Sequence, residues 1–191
     1  MQLVELRDSV PRRIFLPNVT MEDPTGAERE GLIENRKSKI ENSCRVIHIY
    51  NRQRTVPFDL PWLRRFAPIA LAECEGEGIA HGAPLESMEE IEVSIVSDRA
   101  IAAVHRRFMN IAGATDVLTF EHGEIIISAA TAERHAREFG QRLEHELGFY
   151  IIHGILHLNG YDDLAELAAS RMRETQTAIL RRALDAMGAT H

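Results

Sequence analysis

From Leu143 to Leu158 the chain reads Leu-Glu-His-Glu-Leu-Gly-Phe-Tyr-Ile-Ile-His-Gly-Ile-Leu-His-Leu. At helical spacing, Leu143, Leu147, Tyr150, Ile151, Ile155 and Leu158 cover most of the surface instead of one stripe. A helix apolar on nearly every side must be wrapped by other elements at the centre of a domain. Gly160 ends it, because glycine takes the left-handed cap conformation without a side-chain penalty. His153 and His157 lie one turn apart on this helix, so both imidazoles leave the same face. A chain that folds back at Gly160 brings Asp162 or Asp163 towards the two rings. Two imidazoles and one carboxylate make a three-ligand metal site with a coordination position left open, which is the catalytic arrangement.

The rest of the chain supplies the wrapping. β-Branched residues predict a strand over Arg45–Asn51, and Asp59 is placed to cap a helix from Leu60 to about Glu75, with Pro61 in its first turn. After a linker holding Gly82 and Pro84, Glu92–Ser97 reads as a strand. Asp98 reads as the cap of a helix over Arg99–Met109. Asp116–Phe120 and Glu124–Ser128 form a strand pair around His122-Gly123. Helices follow over about Thr131–Gln141, Leu143–Leu158 and Ala165–Met187. The order predicts an α/β (α+β type) domain: one small mixed sheet packed with helices, with the metal-binding helix buried at its centre. Residues 1–43 carry three prolines, mixed charge and no sustained periodicity, and read as a loosely ordered extension or a misassigned start. The folded domain is therefore placed at 44–191.

Bulk properties narrow the function classes. No apolar run reaches the roughly 18 residues that span a membrane, and no secretory leader pattern opens the chain. Cys44 and Cys74 have no metal-type spacing and read as ordinary thiols of a reducing cytoplasm. A net charge of -7 argues against broad nucleic-acid binding but leaves room for a local basic groove.

The motif also excludes a chemistry. A zinc protease carries glutamate directly after its first histidine, as the base for the attacking water. Here that position is Gly154, which allows close backbone approach and moves no proton. Either the base lies elsewhere or the substrate brings its own nucleophile, as RNA does with its 2′-hydroxyl.

His153-Gly-Ile-Leu-His157-Leu-Asn-Gly160-Tyr161-Asp162 resembles the hallmark of the YbeY family, the bacterial endoribonucleases of rRNA maturation. Thr115-Asp-Val-Leu-Thr-Phe120 and Gly123-Glu-Ile-Ile-Ile-Ser128 are similar to two further family segments, in the expected order. The resemblance covers roughly residues 45–187. It implies a single-strand-specific endoribonuclease that matures the 16S rRNA 3′ end and takes part in ribosome quality control, in the cytoplasm. Its partners would be rRNA precursors and ribosomal particles, not DNA or a membrane, and its cofactor one zinc ion. It also implies His153, His157 and Asp163 as ligands, with Asp163 standing where the family has a third histidine. The family arginine ahead of the Thr-Asp strand falls on Met109, so Arg106 or Arg107 is expected to replace it as the cation that neutralises the phosphate. An alternative is a non-catalytic assembly factor whose metal pins the core. Among the neighbours, Asp162 reads as an acceptor that orients a histidine or as a cap for the next helix, Tyr161 as packing, and Thr115 as a hydroxyl that holds its loop or touches substrate. Glu146 reads as a surface residue first, and as a base or ligand partner second.

Overall fold

The computed structural model describes residues 14–16 and 45–188. Among the described residues, ten elements make up the fold apart from a short 3-10 turn at Pro84–Ser87. They are β1 (Ile14–Leu16), β2 (Val46–Asn51), α1 (Leu60–Gly76), β3 (Glu90–Val96), α2 (Asp98–Met109), β4 (Val117–Phe120), β5 (Glu124–Ser128), α3 (Ala129–Glu138), α4 (Leu143–Leu158) and α5 (Glu166–Gly188). The strands form one mixed sheet in the order β1-β4-β5-β3-β2. β2, β3 and β5 run parallel, β4 runs antiparallel to β5, and β1 pairs parallel with β4.

Strand alternation divides the core in two. Ile49, Ile91, Val93, Ile95, Val117, Ile125 and Ile127 join the main core with α1, α4 and α5. Val96, Leu118, Phe120 and Ile126 face the other way and pack with Ile101 and Val104 of α2. So α4 and α2 cover opposite faces of the sheet. Thirteen of the sixteen residues of α4 are buried, from Glu146 to Leu158, as its apolar surface predicts. Two glycines let it sit that deep. A Cβ at Gly148 would stand 2.8 Å from the Phe66 ring, and one at Gly154 would stand 2.8 Å from Ile125.

Asp59 caps α1 as expected, accepting from the Trp62 amide at 2.8 Å. The cap of α2 differs from the expectation: Ser97, not Asp98, accepts from the Ala100 amide. Asp98 is drawn into the first turn because its carboxylate has better partners across the chain. It accepts from the Ser128 and Thr131 hydroxyls and from Arg134, whose Nη1 lies at 2.8 Å. Burial alone would raise the Asp98 carboxyl, but these hydrogen bonds outweigh it and hold the pKa below the usual range. Of the segment read as an extension, Ile14–Leu16 forms the edge strand β1, an element that the sequence reading did not assign. The rest of residues 1–43 lies outside the described residues, as does Cys44. Cys74 is free and fully buried, and burial pushes its thiol well above the usual range.

Candidate metal centre

The site is made by the end of α4 and the turn after it. The Gly160 amide donates to the His157 carbonyl and the Tyr161 amide to the Leu156 carbonyl, with Gly160 at φ 90°. This is the Schellman closure that glycine permits. It reverses the chain and returns Asp163 to the two imidazoles. Asp162 stays out of the cluster: its carboxylate accepts from the Leu164 amide at 2.8 Å and holds the turn. Asn159, fully buried, donates to the Cys74 and Gly78 carbonyls and ties the end of α4 to α1.

His153, His157 and Asp163 each offer one ligand atom within 4.8 Å of the others. The two Nε2 atoms lie 2.9 Å apart, and each lies 3.9 Å from Asp163 Oδ2. One point about 2 Å from all three atoms satisfies these spacings, which matches zinc–imidazole and zinc–carboxylate bonds of roughly 2.0–2.2 Å. The outer ring nitrogens explain why the inner ones face each other. His157 Nδ1 donates to the Tyr161 carbonyl at 3.0 Å, and His153 Nδ1 donates to Gln176 Oε1 at 3.4 Å. With both protons on Nδ1, both Nε2 atoms present lone pairs to one another. Two buried lone pairs at that distance repel unless a cation lies against both. The residues present therefore fit a single divalent ion with nitrogen and oxygen ligands.

Gln176 is not among the site residues expected from the sequence. It sits on α5, where Met172, Ile179, Leu180 and Ala183 make the buried stripe, and it is 1% exposed within that stripe. Its amide donates to the Phe149 carbonyl at 2.7 Å, which fixes its oxygen towards His153. A polar residue inside the apolar stripe was the available signal, but its target lies 23 residues away.

Glu146 departs from the expected surface position. It is 1% exposed, not a surface residue, because α3 packs over that side of α4. Its carboxylate lies 3.9 Å from His135 Nδ1, which in turn is 2.6 Å from the Tyr150 hydroxyl. Thr115 donates to Asp116 Oδ1 at 3.1 Å, within its loop. Tyr161 packs half-buried against the core. Arg106 and Arg107 are exposed in the last turn of α2, on the opposite side of the sheet from α4, and Met109 beside them is half-buried. They stand outside the three-residue cluster.

The family model described as Endoribonuclease YbeY matches residues 48–184. The chain belongs to the YbeY family. Its relatives include the Endoribonuclease YbeY of Heliobacterium modesticaldum, 40% identical over 121 residues, which are 52% of this chain and 72% of that one. The Endoribonuclease YbeY of Moorella thermoacetica is 33% identical over 151 residues, 69% of this chain and 93% of that one. The fold is similar to the solution structure of TM1509 from Thermotoga maritima, with a TM-score of 0.52 and 25% identity over 76% of this chain and 92% of that one. The YbeY match contains the α4 histidines, Asp163 and Gln176 alike. Among the described residues, no helix is long and apolar enough to cross a membrane.

Proposed function

We propose that the chain is a single-strand-specific endoribonuclease that depends on one zinc ion and acts in the cytoplasm on rRNA precursors and ribosomal particles. In this reading it matures the 16S 3′ end and serves ribosome quality control, and residues 44–191 form the catalytic domain. The observation that carries the proposal is the pair of buried Nε2 atoms 2.9 Å apart, both with their Nδ1 protons engaged elsewhere. The names of the relatives supply the substrate class.

His153, His157 and Asp163 would hold the ion. When bound, it supplies Lewis acidity towards a phosphoryl oxygen or a water. The Asp163 carboxylate contributes negative charge, which tempers that acidity relative to a third imidazole. The Tyr161 carbonyl and Gln176 orient the two rings and keep their Nε2 atoms unprotonated. Gly154 offers no base next to His153, which favours a nucleophile carried by the substrate, the RNA 2′-hydroxyl. Arg106 and Arg107 supply positive charge to the RNA phosphates.

A second reading is a non-catalytic assembly factor pinned by its metal; Met109, at the position of the family arginine, favours it. The test is metal analysis of native protein followed by cleavage of single-stranded RNA by wild type and His157→Ala. Stoichiometric zinc with cleavage lost in the variant supports the proposal. Zinc with no cleavage by wild type supports the assembly factor.

A further inference from the structure

We propose that Phe108, at the end of α2, is a base-stacking platform that holds single-stranded RNA. The inference rests on the ribonuclease reading above and adds a substrate-binding residue to it. Ile101, Val104 and His105 form the inner face of α2. Phe108 continues that face one turn on. Its ring meets Phe120 nearly perpendicularly, at 5.4 Å between centroids and 77°. Phe120 is buried, and its ring stands 5.5 Å from that of His122. Phe108 nevertheless stays 53% exposed. The ring is thus braced by a core residue and still open to solvent.

Charge gathers at the same place. The Arg107 guanidinium carbon lies 5.5 Å from the Phe108 ring centroid. Arg106 and Arg107 are both exposed, and among the described residues neither has an ion-pair partner. His122 adds a second half-exposed ring at the turn between β4 and β5. On a chain of net charge -7, a polyanion needs such a local cluster to settle. Rings with guanidinium groups beside them are the chemistry of single-stranded nucleic-acid surfaces: bases stack on the ring, and arginines take the phosphates. A duplex keeps its base faces stacked on one another and gains little from an exposed phenyl ring. The platform therefore selects single strands, whatever their sequence, because every base has a π-face. α2 and α4 cover opposite sheet faces, so Phe108 is a positioning residue that does not touch the reacting phosphate.

The test uses the full chain loaded with zinc and a short fluorescent oligoadenylate with 2′-O-methyl riboses, which lacks the free hydroxyl. Binding is compared for this strand, for the same strand with central abasic positions, and for a duplex. Wild type is expected to prefer the intact single strand to both others. Phe108→Ala should weaken binding of the intact strand on the order of 10-fold and lose the preference over the abasic strand. Phe108→Leu, which keeps an apolar contact with Phe120, should behave like the alanine variant, and Phe108→Trp should restore the preference. Unchanged binding by Phe108→Ala, or equal losses on intact and abasic strands, overturns the platform while RNA cleavage by wild type still stands. A wild type that neither binds nor cuts RNA overturns the platform and the ribonuclease reading together.

Discussion

At the scale of single residues, the centre depends on where two protons sit. The His153–His157 spacing was legible in the sequence, because four residues on a helix fix a shared face. The tautomers were not legible, because they depend on the Tyr161 carbonyl and on Gln176. Gln176 carries the more fragile half of this arrangement, through a long contact of 3.4 Å. Gln176→Ala removes the acceptor for His153 Nδ1 and frees the ring to change tautomer. Outer partners of this kind typically contribute 10- to 100-fold in metal affinity, and the length of this contact places the expected loss at about 10-fold. Competition with a chromophoric chelator measures it. An affinity equal to wild type would show that Gln176 does not orient the ring. Asp163 was legible only in part: Asp162 and Asp163 were both within reach of the rings, and the Asp162 bond to the Leu164 amide separates them.

At the scale of elements, α4 was read well because an apolar surface on all sides allows only a central place. Its boundaries match the expected Leu143–Leu158. The glycines explain how close it comes. Gly154→Ala would set a methyl group 2.8 Å from Ile125 Cδ1 and 2.9 Å from its Cγ2, and Ile125 is fully buried. Alanine gains about 1 kcal/mol in helix propensity over glycine, while overpacking a core costs about 1–3 kcal/mol. A net destabilisation of about 1 kcal/mol is expected from denaturant melts, with weaker zinc retention as the histidines shift. A more stable variant would show that α4 has slack above β5. The start of α2 lies one residue earlier than expected, since Asp98 has the chemistry of a cap but is engaged by Ser128, Thr131 and Arg134. Its folded carboxyl lies below the usual 3.8, so its contribution is present above the unfolded pKa and fades as pH falls through the folded one. The stability gap between wild type and Asp98→Asn should be flat at neutral pH and shrink from about pH 5 downwards. A gap that does not change with acidification would show that the carboxylate charge does not contribute to folding.

At the scale of the whole molecule, the class of fold was readable from the order of strands and helices, and the sheet order was not. Adjacent parallel strands such as β3 and β5 pair across α2 and β4, and β1 pairs with β4 over about a hundred residues of chain. No local pattern encodes such pairings. The consequence for function is that β4 shows one side to α4, which carries the candidate metal centre, and the other to α2, which carries Arg106 and Arg107. That division was invisible in a sequence that sets Arg106 and Arg107 only a few residues before Thr115. The proposed chemistry requires the ion. Metal analysis of native protein purified without chelators should give one zinc per chain, lost in His157→Ala with the fold retained. A well-folded native protein that binds no divalent metal would contradict it.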